Sequence, residues 1–306
     1  MEDYPRTLME FEQRFSSEEA CREYLVQLRR PEGIRCPECE TEKMWAMSRG
    51  LYLCARCRYQ TSVLAGTIFQ DTKKPLQLWF PAMWYVTNQK NGVSALGLQR
   101  VLGLGSYRTA WEWLHKLRRA MVRPGRERLS GTVEVDETYV GGQEPGQRGR
   151  GAFGKVLVIA GAEVRDSRMG RIRLRQVADA SAVSLEAAIK ERVEPASLVR
   201  TDGWRGYGAL KEKGYRHKVI RDEGNVGGNL LPRVNRVAAL FKRWMLGTHQ
   251  GRISPSYLDY YLDEFTFRFN RRNSQWRGKL FYRLMHQPVD MEPLADLHTQ
   301  GKAGSR

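Results

Sequence analysis

Six residues in this chain stand in patterns that do chemistry. Cys36 and Cys39 form one CxxC pair and Cys54 and Cys57 another, with 14 residues between the pairs. Each pair offers two thiolates from one tight turn, and the span between them is long enough for a hairpin. Four thiolates in a tetrahedron suit Zn²⁺, and a shell so filled keeps no position for water, so this metal would fold the module rather than catalyse. A redox role is the competing reading, but redox CxxC motifs seldom come as matched pairs. Further along, Asp136 stands in "VEVDETYVGG" and Asp202 in "SLVRTDGWRGY", 66 residues later, each at or near the end of an apolar run. Asp-Gly at a strand end is also an ordinary turn, so Asp202 alone says little. Two strand-end carboxylates brought together repel each other unless a cation lies between them. Mg²⁺ fits such a pair, because it takes few protein carboxylates and completes its shell with water and phosphate oxygens. Ions so held activate an attacking oxygen and stabilise a leaving one in phosphoryl transfer.

Periodicity supplies the elements that must position these groups. In "GTVEVDETYVGG", Val133 and Val135 alternate with Glu134 and Asp136, which is strand spacing. "KVLVIAGAEV" and "GRIRLRQVAD" read as two more strands about a turn in "RDSRMG". "SLEAAIKERV" reads as a helix stopped by Pro195, and "SLVRT" as a buried strand leading to Asp202. A short helix, the strand "YRHKVI" and a long helical pattern from about residue 232 follow. The order β-β-β-α-β-α-β-α describes an α/β fold, a mixed sheet with helices on its faces.

Upstream, "PLQLWFPAMWYVTNQ" opens a helix with Pro75 at its first position, and "VSALGLQRVLG" and "SYRTAWEWLHKLRRAM" form two more. Gly103 and Gly105 make the turn between the last two, and Ser106 caps the second. This pair resembles a helix-turn-helix, although helical hairpins that bind nothing read the same way. His115 is expected to face solvent there, Trp79, Trp84, Trp111 and Trp113 to pack, and Cys21 to sit buried on an earlier helix. The Gly- and Arg-rich "GGQEPGQRGRGAFGK" either lies along a phosphate backbone or merely connects, and the tail "MEPLADLHTQGKAGSR" reads as frayed.

Lys and Arg outnumber Asp and Glu by 51 to 34, a net charge of +17 spread along 306 residues. A broadly basic folded chain points to a polyanionic partner, of which nucleic acid is the commonest. With 41% hydrophobic residues a sizeable core forms and global disorder is excluded. "MEDYPRTLMEFEQRF" lacks the apolar stretch of a signal peptide, and no window approaches the roughly 20 apolar residues of a membrane span, so a soluble cytoplasmic protein is expected. Only five cysteines, four of them in CxxC pairs, argue against a disulfide framework.

"CPEC…CARC", "NGVSALGLQRVLGLGSYRTAW", "VEVDETYVGG", "VRTDGWRGY", "FKRWMLGTHQG" and "YLDEFTFRFNRR", in this order, resemble the transposases of the IS1595 family of insertion sequences, of the ISXO2 type, over residues 20 to 283. The resemblance implies a ribonuclease-H-like core of the DDE type. Such a core cleaves DNA at the element's terminal inverted repeats and joins the 3′-hydroxyl to target DNA, using Mg²⁺ or Mn²⁺. It implies a self-associating protein working on bacterial nucleoid DNA, with Asp136 and Asp202 as the first two members of its triad. The third member is Glu in some relatives and Asn in others, followed by Lys two helical turns later. Here that position is Asn235, in "PRVNRVAALFKRW", with Lys242 at i+7 on the same helical face. A neutral Asn carbonyl ligates a hard cation but adds no charge to hold it. Lys242 either contacts a phosphate or is a solvated lysine. Glu137 and Glu264 are nearby alternatives, and Glu264 equally pairs with the arginines around it.

The resulting organisation is an N-terminal helix and zinc ribbon (1–70), a helical DNA-binding region (71–125), a catalytic domain (131–285) and a flexible tail (286–306). Two other functions stay open: a DNA-binding regulator descended from such an enzyme, and a metal-dependent nuclease that cuts without joining.

Overall fold

A computed structural model of the chain describes residues 2–47, 50–121, 128–141, 155–166, 168–221, 229–249 and 254–289. They fall into two compact units, one of Met1–Met121 with Ser274–Arg306 and one of Val122–Asn273. The basic loop over 142–154 and the tail beyond 289 lie outside the described residues.

In the first unit the helices begin where short hydroxyl side chains cap them. Thr7 caps α1 (Leu8–Arg14) and Ser17 caps α2 (Glu18–Arg29), each hydroxyl accepting an amide proton three residues on. A three-stranded antiparallel sheet follows, β1 (Met44–Ala46), β2 (Leu51–Cys54) and β3 (Gln60–Ser62). Pro75 is the N-cap of α3 (Leu76–Asn88), one position before the first-turn site that the sequence suggests. Ser94 caps α4 (Ala95–Leu102), which ends at Gly103 with φ +61°, a left-handed geometry that suits a residue without Cβ. Ser106 then caps α5 (Tyr107–Ala120). Trp79, Trp84 and Trp113 are buried and Cys21 is fully enclosed. His115 departs from expectation: it is 1% exposed, its Nδ1 lies 2.9 Å from the Trp111 carbonyl, and the two rings lie 3.8 Å apart. The apolar stripe of α5 wraps far enough round to draw the imidazole in, so His115 packs instead of facing solvent.

The second unit is built on five strands: β4 (Thr132–Val140), β5 (Val156–Arg165), β6 (Arg168–Val177), β7 (Leu198–Thr201) and β8 (Arg216–Val219). Helix α6 (Ala182–Arg192) links β6 to β7, a 3₁₀ turn (Arg205–Leu210) links β7 to β8, and α7 (Pro232–His249) and α8 (Pro255–Asn270) follow. The sheet runs β6-β5-β4-β7-β8, antiparallel between β6, β5 and β4 and parallel between β4, β7 and β8. This is the mixed, ribonuclease-H-like arrangement. Alternation along β4 decides which side chain meets which layer. Val133 and Val135 join Leu185, Ile189, Val199 and Tyr207 beneath α6. Val140 joins Val237, Phe241, Leu262 and Phe265 beneath α7 and α8, so Glu134 and Asp136, sharing its parity, belong to that second face. The apolar run of β5 is buried along nearly all its length, as a central strand covered on both sides should be.

The last helix, α9 (Gly278–Val289), returns to the first unit. Sequence alone puts the end of the catalytic region at 285, whereas the second compact unit ends at Asn273. The reason is the apolar face of α9: Phe281 meets the rings of Phe11, Phe15, Tyr24, Phe80 and Trp84, with centroids 5.3 to 6.5 Å away, and Leu280, Leu284 and Met285 are buried beside it. Phe281→Ala is therefore expected to cost about 3–5 kcal/mol by transfer and cavity terms. Chemical denaturation followed by tryptophan fluorescence measures it.

Candidate active site

The pairing of β4 with β7 is parallel, from Thr132 opposite Leu198 to Glu134 opposite Arg200. That constant offset of 66 residues is the separation of Asp136 from Asp202, so the same register carries both carboxylates to one level on adjacent strands, about 4.8 Å apart. Asp202 lies one residue past the end of β7, where Thr201 Oγ1 hydrogen-bonds His217 Nε2 of β8 at 2.9 Å and fixes the strand end. The Trp204 amide donates to Asp202 Oδ1 at 2.9 Å. Asp202 is therefore the turn residue that its Asp-Gly context suggests, and with one oxygen so held the other still faces out. Gly203 makes the turn at φ +88°, where a Cβ would meet Val219 Cγ1 at 2.6 Å. Asp136 Oδ1 is held in like manner by the Glu137 amide at 2.9 Å.

Burial, and after it the neighbouring Glu137 and Asp202 carboxylates, push Asp136 up to about 7, against the Glu137 amide and the Lys242 ammonium that favour its charge. Lys242 itself is lowered by burial and by Lys155 just before β5, and raised by Asp136. Two carboxylates and two ammonium groups thus share one electrostatic neighbourhood. Asn235 sits on the same helix as Lys242, and its Nδ2 donates to Asn229 Oδ1 at 2.7 Å, leaving its carbonyl oxygen as the group able to ligate. Among the described residues no third acid joins Asp136 and Asp202 closely enough to share one ion. Of the alternatives, Glu137 points to the opposite face, where the buried Tyr207 hydroxyl donates to its Oε2 at 2.6 Å. Glu264 is 1% exposed and bonded to Arg268 at 2.6 and 2.9 Å.

Helix α7 has no cap of its own. Its N-cap position is Leu231, whose carbonyl accepts the first intrahelical bond from Asn235, and Pro232 has no N–H. The cap comes from β4: Glu134 Oε2 accepts the amides of Arg233 at 2.7 Å and Val234 at 3.1 Å, and Arg233 Nη1 stands 3.6 Å from its other oxygen. A buried carboxylate against the positive end of a helix is favourable on both hydrogen-bond and dipole grounds. It ties the helix bearing Asn235 and Lys242 to a point two residues before Asp136. Sequence reading passed over Glu134, although its parity with Asp136 was visible; Lys155, Asn229 and Tyr207 offered no such signal.

In the first unit the four cysteine Sγ atoms all lie within 4.8 Å of one another, with Cys36–Cys57 and Cys39–Cys54 at 3.5 Å. Thiolates 2.3 Å from a tetrahedral zinc stand about 3.8 Å apart, so the donor set fits that ion. Both CxxC turns are built alike. The residue after each, Glu40 and Arg58, takes a positive φ and returns its amide to Cys36 and Cys54, whose own amides bond Thr41 and Tyr59. Although burial would raise it, the amides of Cys57 and Arg56 bring the Cys54 thiol down to about 6, which favours the ligating thiolate.

Two outcomes follow. Folded Asp136 keeps its proton from the ordinary value of 3.8 up to about 7, so the folded state binds more protons than the unfolded one in that window and loses stability as pH rises through it. Urea denaturation in EDTA should show that fall, and Asp136→Asn should flatten it. Glu134→Ala, which leaves two amides at a buried helix start without an acceptor, should cost about 2–4 kcal/mol in the same assay.

Residues 128–270 match the ISXO2-like transposase domain and residues 16–60 the transposase zinc-ribbon domain. A curated relative from Halobacterium salinarum, an "uncharacterized protein in transposable element ISH50", is 29% identical over 281 residues, spanning 83% of this chain and 91% of its own length. Among solved structures the chain is similar to the simian T-cell lymphotropic virus intasome in complex with PP2A regulatory subunit B56 gamma, at a TM-score of 0.32 and 15% identity over 66% of this chain and 72% of that one. It is similar also to the Mos1 transposase paired-end complex with left transposon end, at 0.30 and 13% over 72% and 79%. With the matched zinc ribbon falling on the four-cysteine cluster and the matched transposase domain on the mixed sheet, the chain belongs to the ISXO2-like IS1595 family of insertion-sequence transposases.

Proposed function

We propose that the protein binds the terminal inverted repeats of its element, cleaves there, and transfers the freed 3′-hydroxyl to target DNA. The observation carrying this reading is the level placement of Asp136 and Asp202 on adjacent parallel strands with Lys242 in their field. Asp136, Asp202 and the Asn235 carbonyl would hold Mg²⁺ or Mn²⁺. Metal so bound supplies charge to stabilise the attacking and leaving oxygens of an in-line displacement. In cleavage, a water oxygen attacks phosphorus and gives up a proton while the O3′–P bond breaks and O3′ gains one. In joining, that 3′-hydroxyl attacks a target phosphodiester, forming one O3′–P bond as another breaks, so no external energy source is needed. Lys242 and Lys155 neutralise phosphate charge beside the reacting group, and Asn229 and Glu134 keep Asn235 and its helix in place.

The rest of the chain serves recognition. The α4–α5 pair docks in the DNA groove through exposed positions of α5 such as Tyr107 and Arg108, since His115 is buried. The zinc-ribbon module is held together by Zn²⁺ on Cys36, Cys39, Cys54 and Cys57. The protein acts as a homo-oligomer that pairs two element ends, on nucleoid DNA in the cytoplasm; no described helix is long and apolar enough to cross a membrane.

The test is a joining assay with the purified protein, Mg²⁺ and a fragment carrying the element's own end. Joined product is expected, with Asp202→Ala reducing it at least a thousandfold and Asn235→Ala by a smaller factor, because only a neutral ligand is lost. Cleavage without joining would make the protein a nuclease. Binding with neither step would make it a regulator.

A further inference from the structure

The hairpin joining β5 to β6 ends at a place the catalytic reading leaves unused. Arg165 and Arg168 are directly opposite each other in its last registered pair. Like charges facing across a ladder destabilise it. Beside them a surface cleft of about 510 Å³ is lined by Arg165, Arg168, Arg171 and Arg272, with Asp166 the one acid among its lining residues and Asn270 at its edge. Its size lies in the range of ligand pockets, roughly 300–1,000 Å³.

The arginines are held rather than loose. Glu163, 1% exposed, lies beneath them. Its Oε2 takes Arg165 Nη2 at 3.0 Å, and its Oε1 takes Arg171 Nη2 at 2.7 Å and Nε at 3.0 Å. Arg272 donates to the carbonyls of Met169, Gly170 and Phe269 and stacks on the Phe269 ring, so its contacts spend no carboxylate on it. Asn270 pairs through both its amide groups with the Ile172 amide and carbonyl, at 2.8 and 3.1 Å, and fixes the end of α8 to β6. A single buried carboxylate thus orients two guanidinium groups, and the cleft is left with an excess of positive charge on a rigid frame.

We infer that this cleft is a second nucleic-acid contact, gripping a backbone phosphodiester of duplex DNA away from the reacting bond. Asp136 pairs with Ala160 and the cleft begins five residues further along β5, so the two are separated by about 17 Å along the sheet. A guanidinium fork recognises phosphate oxygens in two-point fashion, and four such groups against one acid favour a polyanion over any neutral partner. The inference deepens the proposed function, on which it rests for the identity of the polyanion as DNA.

The test measures duplex binding by the full chain in EDTA, where no metal-dependent step contributes. Arg168 is exposed. Arg168→Ala should weaken binding of a random-sequence duplex about five- to tenfold near 0.1 M salt, and lower the slope of log K against log salt by roughly 0.9. Arg168→Lys should recover most of the slope, and Arg168→Glu should weaken binding further. Without DNA, Arg168→Ala should melt at the same temperature as the parent or higher, because it relieves the facing charges. Unchanged affinity and slope in both the Ala and Glu variants would overturn the inference and leave the joining assay untouched. So would weakened binding accompanied by a lower melting temperature, which would make Arg168 a structural residue. Weakened duplex binding with an intact fold would sustain it even if no joining were ever seen.

Discussion

The parallel pairing of β4 with β7 is the constraint on which the second unit turns. It sets two aspartates level on neighbouring strands, where their charges repel and one of them is partly withdrawn from water. A sheet does not adopt such a register for stability. The cost appears in Asp136 itself, whose proton is retained to about 7. The surrounding elements are arranged to hold that arrangement in place. Val133 and Val135 anchor β4 from the α6 side, Glu134 anchors α7 from the other, and the Thr201–His217 bond closes the end of β7.

A recurring device fixes the side chains of the site. Asp136 gives one oxygen to the Glu137 amide, Asp202 one to the Trp204 amide, and Asn235 its amide nitrogen to Asn229. Each side chain is thus tethered at one atom while an oxygen remains for another ligand. Tethering removes rotamer freedom before any ligand arrives, which is the physical content of preorganisation. It also resolves the ambiguity of Asp202, because serving as a turn residue is what orients it.

Local patterns were legible in the sequence; long-range ones were only partly so. The strand order, the caps at Ser94 and Ser106 and the four-cysteine array follow from period, residue type and spacing, all of which act within a few residues. The level placement of Asp136 and Asp202 could be stated only conditionally, since register between strands 66 residues apart is set by tertiary packing. His115 was misjudged because a polar residue on a helix reads as exposed until the width of the buried stripe is known. The return of α9 to the first unit escaped for the same reason: its apolar face was plain, but which core it fills depends on aromatic residues more than 190 positions earlier. Glu134 was read only as the polar half of an alternation. Its role as a cap in trans required knowing that α7 starts with Leu231 and Pro232 against that strand.

The charge layout carries one further step. Three like-charge meetings occur in the second unit: Asp136 with Asp202, Lys242 with Lys155, and Arg165 with Arg168. Each is unfavourable in the isolated protein, and no single small ion relieves all three, because the first requires a cation and the others an anion. A phosphodiester chain carrying divalent counterions brings both signs at once, at the spacing of a polymer. The net charge of +17 gives long-range attraction to any polyanion. The alternation of acidic and basic pairs is more selective than that bulk charge, since it is satisfied only by a backbone that arrives with its metal. On this view the electrostatic strain of the free sheet is what makes the bound state specific.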